Sequence, residues 1–171
     1  MIPAISACAI LMSGAVALSG ATLHRVSSPA APASPSSPSA PADPGMKPED
    51  QTVTGRFTTA TEVKPILTAT KQSWVALREY NGQDLLYVTQ ILSWRCGLLG
   101  LRIGVNNAPM QNWPLPACHM GTATPNALTP QDGLPYLNLP LSSVQSIQIE
   151  LIYDDLTTDT GSFERAAVLM P

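Results

Sequence analysis

The sequence predicts an all-β domain, a two-layer β-sandwich of the immunoglobulin-like or jelly-roll-like kind, preceded by a signal peptide and a Pro/Ala/Ser-rich linker. Apolar and polar residues alternate at every second position through much of residues 51–171, which is the pattern of half-buried strands. Turn-forming residues recur roughly every 8 to 12 positions, a spacing typical of sandwiches. The length of 171 residues fits one such domain and an appendage.

The N-terminal residues 1–21 are predicted to form a signal peptide. No side chain is charged before Arg25, and Ala7–Leu18 is a continuous run of apolar and small residues. Small residues at 15–17 and 19–21 suit cleavage by a signal peptidase. The alternative is an uncleaved anchor, because ~20 residues can span a bilayer. We therefore expect a periplasmic or extracellular protein, tethered to the membrane only if this segment is retained.

Residues 22–50 are predicted to be a disordered linker. Prolines recur there at every third position, which matches the three residues per turn of polyproline II. We interpret the segment as a semi-rigid spacer, with a docking ligand for an aromatic groove as the alternative. The regularly spaced prolines are Pro29, Pro32, Pro35, Pro38, Pro41 and Pro44.

Strands are predicted where the alternation is clearest. The segments are Leu99–Val105, Leu137–Leu141 and Ile147–Tyr153. Flanking prolines place the second of these at a sheet edge, since proline cannot donate to a ladder. The stretch Leu85–Trp94 is apolar on both faces and predicts a central strand. In all, about eight strands are expected in a sandwich of this size.

Turns are predicted between the strands. Asn81-Gly82 and Asn106-Asn107 are tight-hairpin signals, because these residues tolerate positive φ. The polar stretch 154–162 predicts a longer loop before a final strand at 163–170. No sustained 3.6-residue period indicates a helix, and residues 124–133 are expected to form a single turn at most.

The cysteines predict one disulfide bond. Cys8 is lost with the signal peptide, which leaves Cys96 and Cys118, an even count suited to an oxidising compartment. The bond would join a long irregular loop to the sheet and contribute about 3 kcal/mol in the chain-entropy model. Two free thiols in a cytosolic protein are the alternative.

Charge and composition exclude several functions. The net charge is −3, from 9 Lys+Arg against 12 Asp+Glu, so no basic excess is present for a nucleic-acid partner. With 2 His and 3 Cys, a finger-type zinc site is not expected. No cofactor is predicted from motifs.

Three residues are candidates for binding, namely Trp113, Trp74 and His119. Trp113 precedes a proline in a predicted loop and is the best candidate for an exposed aromatic contact with a sugar or a peptide. Trp94 is expected to share a strand face with Cys96 and to pack on the disulfide. Packing in the core is the alternative for any of the tryptophans.

His119 is the lone histidine of the domain. It lies beside Cys118, and a thiolate pair would be conceivable if that cysteine were free. A solvated loop histidine is the alternative, and the predicted disulfide favours it. No G-x-S-x-G, H-E-x-x-H or S-x-x-K motif is present, so an enzyme is not favoured.

Carboxylates supply two weaker candidates. Asp154, Asp155 and Asp159 cluster on one predicted loop and predict a possible calcium loop, with ordinary turn residues as the alternative. Glycoside hydrolysis needs two carboxylates at a defined distance in space, and the sequence does not determine that distance. The carboxylates considered are Glu79, Asp84, Glu150 and Glu164. The alternative is that Arg78 with Glu79, and Glu164 with Arg165, form solvated cross-strand pairs.

The segments WVALREYNGQDLLYVTQILSWRCGLLGLRIGVNN and LPYLNLPLSSVQSIQIELIYDDLTTDTGSFERAAVLMP resemble an uncharacterised family of small exported proteins from alphaproteobacteria. The resemblance covers residues 63–171 and omits the linker. It implies export and a compact β-rich domain. Because that family has no assigned activity, the resemblance implies no catalytic residues.

The sequence thus favours an exported, non-catalytic binding or interaction module of the cell envelope, with an envelope protein or a glycan as its partner. A small envelope hydrolase and an accessory subunit of an envelope complex are the alternatives. The fold class by itself selects none of the three.

Overall fold

The computed structural model describes residues 45–171. The predicted signal peptide and most of the predicted linker lie outside this range. Short 3₁₀ turns occur at 71–73, 95–97 and 130–132. The longer elements are α1 (Ala60–Ala69), α2 (Thr89–Leu92), α3 (Arg165–Val168), β1 (Ala76–Tyr80), β2 (Gln83–Tyr87), β3 (Leu98–Val105), β4 (Gln111–Trp113), β5 (Tyr136–Pro140), β6 (Ser146–Tyr153) and β7 (Thr158–Glu164).

The strands form two antiparallel sheets. The first has three strands in the order β1-β2-β5, and the second has four in the order β4-β3-β6-β7. The described domain is therefore β-rich, as predicted, with seven strands instead of eight in residues 45–171. The predicted position of β5 at a sheet edge is confirmed, in keeping with Pro140 at its end.

One hydrophobic core joins the inner faces of both sheets to α1. Directly paired residues of an antiparallel ladder lie on the same face, so the register defines each inner face. The first sheet contributes Leu77 and Leu86, and the second contributes pairs such as Leu101 with Leu151. These side chains belong to one cluster, whose burial is the main favourable term in folding.

The two predicted tight turns have the expected backbone. Asn81 and Gly82 have φ values of 50° and 74° between β1 and β2. Asn106 and Asn107 have φ values of 53° and 61° after β3. Positive φ at both central residues matches the right-handed twist of the flanking strands, and the tight hairpin predicted at Asn81-Gly82 is confirmed. Asn106 and Asn107 instead begin a longer connection, because β4 starts only at Gln111.

The last hairpin has a shorter loop than predicted. Ile152 pairs with Thr158, so β7 begins inside the polar stretch that was expected to be loop. Much of the predicted final strand 163–170 leaves the sheet as α3. Leu169 then forms a parallel bridge with Leu77, whose carbonyl accepts the amide of Met170 at 2.7 Å. The end of the described chain thus lies along β1.

Helix α1 was not predicted. Its fully buried residues are Ala60, Val63 and Leu67, an i, i+3, i+7 pattern that faces the core. Proline at position 65 and the flanking threonines obscure this period in the sequence. The helix packs closely on the 95–97 turn, where a Cβ on Gly97 would come within 2.8 Å of the Thr59 backbone.

The predicted central strand Leu85–Trp94 is wrong beyond Tyr87. The amide of Val88 donates to the carbonyl of Pro135 at 2.9 Å, and the chain then turns into α2. Ile91 and Leu92 enter the core from this short helix. A short apolar run has no periodicity that distinguishes a buried strand from a buried helical turn. No helix in residues 45–171 is long and apolar enough to cross a membrane.

Candidate functional site

The outer face of the three-stranded sheet is the candidate binding surface. The register places three rows of residues there, one across each end and one across the middle. These residues lie on the face of the sheet opposite to Leu77, Leu86 and Leu137. Leu77 and Leu86 belong to the hydrophobic core. We call this surface the tyrosine face, which consists of Ala76, Tyr87 and Tyr136, then Arg78, Leu85 and Asn138, then Tyr80, Gln83 and Pro140.

The tyrosine face presents aromatic rings at both ends. Tyr80 is 57% exposed at one end, and at the other end the rings of Tyr87 and Tyr136 lie 4.9 Å apart. Leu85 lies between them and is only 8% exposed, although it is not part of the core cluster. Its neighbours on this face therefore cover it. The middle of the face has the apolar side chain of Leu85 below and the exposed side chains of Arg78 and Asn138 on either side.

The polar side chains of the tyrosine face have no hydrogen-bond partners in the described part of the chain. Arg78 is the only charged residue among the nine, and its guanidinium lies 5.0 Å from the ring centroid of Tyr80. Within residues 45–171, the side chains of Arg78, Gln83 and Asn138 form no hydrogen bond and no ion pair. Guanidinium and amide groups are strong hydrogen-bonding groups, so the face has free capacity for a polar ligand.

An open hollow of about 340 Å³ continues from the Tyr87 end of this face. Ala76, Thr89, Gln90 and Met170 contribute to its walls. The predicted binding residue Trp74 also lines it, but this side chain is fully buried and its Nε1 donates to the carbonyl of Leu67 at 2.9 Å. Trp74 therefore belongs to the structural base of the hollow and offers it no polar group.

The prediction that Trp113 is an exposed contact is wrong. Trp113 ends β4 and pairs with Leu101, whose side chain lies in the core. It is 8% exposed and belongs to the same hydrophobic cluster. The proline after it suggested a loop, but the short pairing with β3 turns the ring inward. Trp94 lies before a 3₁₀ turn instead of on a strand, and its ring contacts Phe57 at 5.3 Å.

The predicted disulfide between Cys96 and Cys118 is present, with a Cα–Cα distance of 5.2 Å. It joins the 95–97 turn to residues 114–135, which contain no strand. Next to it, buried Arg95 donates to five backbone carbonyl oxygens. Burial lowers the pKa of this guanidinium, and the charge of Asp132 opposes that shift. The acceptors are the carbonyls of Leu92, Pro116, Ala117, Asn126 and Ala127.

His119 has a carboxylate partner that the sequence did not indicate. Its Nε2 lies 2.9 Å from Oδ2 of Asp132. The hydrogen bond from His119, with that from the amide of Thr129, lowers the pKa of the Asp132 carboxyl to about 2 despite desolvation. The sequence carries one signal for the position of Asp132, the capping pattern Thr129-Pro-Gln-Asp132, which caps the turn at 130–132.

A histidine and a carboxylate at this distance can orient a base. Cys118, the adjacent candidate nucleophile, is used in the disulfide. Asp132 also lies 3.6 Å from Arg95. The arrangement therefore resembles a support for residues 114–135 more than a catalytic centre, and His119 is one of its partly exposed members.

Asp154 is a structural residue of the core edge. Its Oδ1 accepts the amide of Ala60 and the side-chain amide of Gln51, each at 2.8 Å. A carboxylate at this place satisfies an orphan donor of the first turn of α1 and interacts favourably with the helix dipole. Its buried Oδ2 has no hydrogen-bond partner within residues 45–171. Burial raises the pKa of the carboxyl above its usual value, and the two hydrogen bonds oppose the rise.

The other two residues of the predicted calcium loop point to different partners. Asp155 binds Lys64 at 2.6 Å, and Asp159 binds Lys71 at 2.7 Å. Residues 45–171 contain no group of three or more His, Cys, Asp or Glu side chains placed to hold a metal ion. The geometry therefore gives no support to calcium at this loop. Asp155 instead neutralises a lysine of α1, and Asp159 neutralises a lysine of the turn at 71–73.

Three of the four carboxylates considered for glycoside hydrolysis are paired with arginines, whereas Glu164 is exposed and has no such partner within residues 45–171. Buried Asp84 accepts from Arg165 at 2.7 and 3.1 Å, and the same guanidinium contacts Glu79. The hydrogen bonds from Arg165, with two from backbone amides, lower the pKa of Asp84 to about 2 despite desolvation. Glu150 pairs with Arg102 at 2.6 Å. These pairs join neighbouring segments, and the expected Arg78–Glu79 pair does not form.

Comparison of the chain with protein families, with curated proteins and with solved structures gives no match. The resemblance of residues 63–171 to a family of small exported proteins therefore stays a prediction.

Proposed function

We propose that the protein is an exported, non-catalytic binding module of the cell envelope, and that the tyrosine face contacts its partner. We further propose that the two sheets form the layers of a β-sandwich that presents this face. The module would act in the periplasm or outside the cell, with an envelope protein or a glycan as partner.

The unused groups of the tyrosine face carry the proposal. One surface carries an exposed ring at Tyr80 and a ring pair at Tyr87 and Tyr136. It also carries the side chains of Arg78 and Asn138, which form no hydrogen bond or ion pair with the described residues. Aromatic and arginine side chains are the types enriched at binding surfaces. The fold itself does not need them, because the core lies on the opposite face of the sheet.

The disulfide supports the exported location. Disulfides persist in oxidising compartments and are rare in the cytosol. Cys96 and Cys118 are bonded at the base of residues 114–135, and the apolar run Ala7–Leu18 supplies a candidate export signal.

Photo-crosslinking in cells tests the proposed face. A photoreactive amino acid would replace Tyr80 in the full chain and, as a matched control, exposed Asn112 on the other sheet. We expect a crosslinked product from position 80 and none from position 112. Equal products from both positions, or none from position 80, would contradict the proposed face. One protein product at constant stoichiometry would identify an accessory subunit of a complex.

The hydrolase alternative rests on one observation, the 2.9 Å contact between His119 and Asp132. Esterase, glycosidase and peptidase substrates would be offered to the wild-type chain and to His119→Ala. The binding-module proposal expects no turnover above background in either protein. Turnover that His119→Ala abolishes would make the hydrolase the better assignment.

A further inference from the structure

We infer that the ligand of the tyrosine face is an acidic glycan, a chain of sugar rings that bear carboxylates. The inference rests on the proposed function, since it names the chemistry of the partner at the same surface. It depends on the type, spacing and charge of the nine residues of this face.

The aromatic and amide groups favour a sugar. A pyranose ring has one face of C–H groups, which stacks on an aromatic ring, and a rim of hydroxyls, which needs hydrogen-bonding groups. Tyr80, Tyr87 and Tyr136 supply rings, and Gln83 and Asn138 supply exposed side-chain amides without protein partners in the described part of the chain.

The spacing of the rings favours an oligomer. Tyr87 pairs with Ala76, and Tyr80 lies four residues further along the same strand. At ~3.4 Å per residue, the two aromatic ends are separated by roughly 14 Å along the sheet. A single monosaccharide cannot contact both ends, whereas a short run of linked sugars can.

An extended peptide is a poorer fit for this surface. Peptides that bind sheets usually add to an edge, where unpaired backbone groups supply the hydrogen bonds. The tyrosine face is the flat side of a sheet, and the backbone groups of its central strand β2 are directed to β1 and β5. The side chains alone determine what binds here.

Charge complementarity makes the glycan acidic. Arg78 is the only charged residue of the nine, it is exposed, and it has no carboxylate partner within residues 45–171. Every other described arginine binds a carboxylate or a backbone carbonyl. A guanidinium binds a carboxylate bidentately, and the adjacent Tyr80 ring holds it in place at 5.0 Å. One unpaired cation in a neutral face selects an anionic group on the sugar.

Binding to immobilised polysaccharides tests the inference with the full chain. The probes are polygalacturonate, alginate and hyaluronate, each beside its methyl ester, which keeps the sugar backbone and removes the charge. The variants are Arg78→Gln and Tyr80→Ala. Lys47→Gln, another exposed cation remote from this face in sequence, is the matched control for charge.

We expect at least one acidic polymer to bind about tenfold more tightly than its ester, because hydrogen bonds to charged groups contribute this much. Arg78→Gln should remove the preference, Tyr80→Ala should weaken binding to both forms, and Lys47→Gln should change neither. Equal binding of acid and ester, or an equal effect of Arg78→Gln and Lys47→Gln, overturns the inference.

The proposed function and this inference fail separately. If none of the acidic polymers binds and position 80 crosslinks to a protein, the glycan is wrong and the binding module stands. If none binds and position 80 gives no crosslink, both are wrong.

Discussion

The two sheets contribute their inner faces to the same hydrophobic core, but their outer faces differ in how charged side chains are paired. On the four-stranded sheet, Arg102 binds Glu150 at 2.6 Å across the strands, and Met110 and Ala108 cover Gly104. On the three-stranded sheet, Arg78 has no carboxylate partner within residues 45–171, and the equivalent surface consists of tyrosines, amides and a covered leucine.

This difference distinguishes charged groups that stabilise the fold from groups that remain available to a ligand. On the outer face of the four-stranded sheet, a carboxylate of the neighbouring strand neutralises Arg102, so this arginine needs no further anion. The three-stranded sheet satisfies its charges only on the inner side, where Arg165 binds Asp84. The groups left over on the tyrosine face are the ones we assign to a ligand.

The largest expected effect comes from removing the anion beneath the tyrosine face. Asp84→Ala leaves Arg165 without its main partner and two backbone amides without an acceptor. Breaking a buried ion pair in this way costs about 3–5 kcal/mol. Urea unfolding should show the loss as a lower midpoint. Asp50→Ala, which removes an exposed local carboxylate, is the control and should change the midpoint little.

A smaller effect is expected on the outer face of the four-stranded sheet. Glu150→Ala removes a charged hydrogen bond to Arg102 from a mostly buried carboxylate. We expect a loss of about 2 kcal/mol in the free energy of unfolding. Gln148→Ala, on the same strand and face, should cost less than half of this. Equal costs for the two variants would mean that the ion pair does not distinguish this face.

The pH dependence of stability should identify the same inner ion pair. The folded-state pKa of Asp84 is lowered to about 2 from an ordinary value of 3.8. Its stabilisation is therefore present above pH ~4 and is lost as the pH falls through about 2. Stability measured between these values should decline less steeply in Asp84→Asn than in the wild type. Parallel curves would contradict this assignment.

The smallest effect on stability is expected on the tyrosine face itself. Tyr80→Ala should change the unfolding free energy by no more than about 0.5 kcal/mol, because the side chain is largely exposed and outside the core. The thermal midpoint of this variant should match that of Asn112→Ala. A large loss would show that Tyr80 serves the fold, and the contrast between the two outer faces would then disappear.

The strands and turns were predictable because their signals are local. Alternation over Leu99–Val105 and Ile147–Tyr153 marks β3 and β6, and the Asn81-Gly82 pair marks the first hairpin. The pairing of Cys96 with Cys118 followed from the count of cysteines in the mature chain. None of these predictions required knowledge of distant contacts.

Helix α1 and the tyrosine face depend on distant contacts. The first turn of α1 is capped by Asp154, 94 residues beyond Ala60. Tyr136 reaches Tyr87 only because β5 joins β2 after the long irregular segment 114–135. No pattern in the sequence places Tyr80, Tyr87 and Tyr136 on one face. The sequence pattern favours Trp113 instead, which the pairing with β3 buries.

Arg95 has a consequence for how residues 114–135 can vary. Its guanidinium binds the main-chain carbonyls of Pro116, Ala117, Asn126 and Ala127, so these contacts do not depend on the identity of the side chains there. Asn126 is the exception, because its side chain also accepts the amide of Cys96. Together with the disulfide, one buried side chain fixes the path of the segment while leaving its outward sequence open to change. The exposed positions of the segment are thus suited to randomised display libraries, with the core-packed Leu115 and Leu128 held constant together with Arg95, Cys96, Cys118, Asn126 and Asp132.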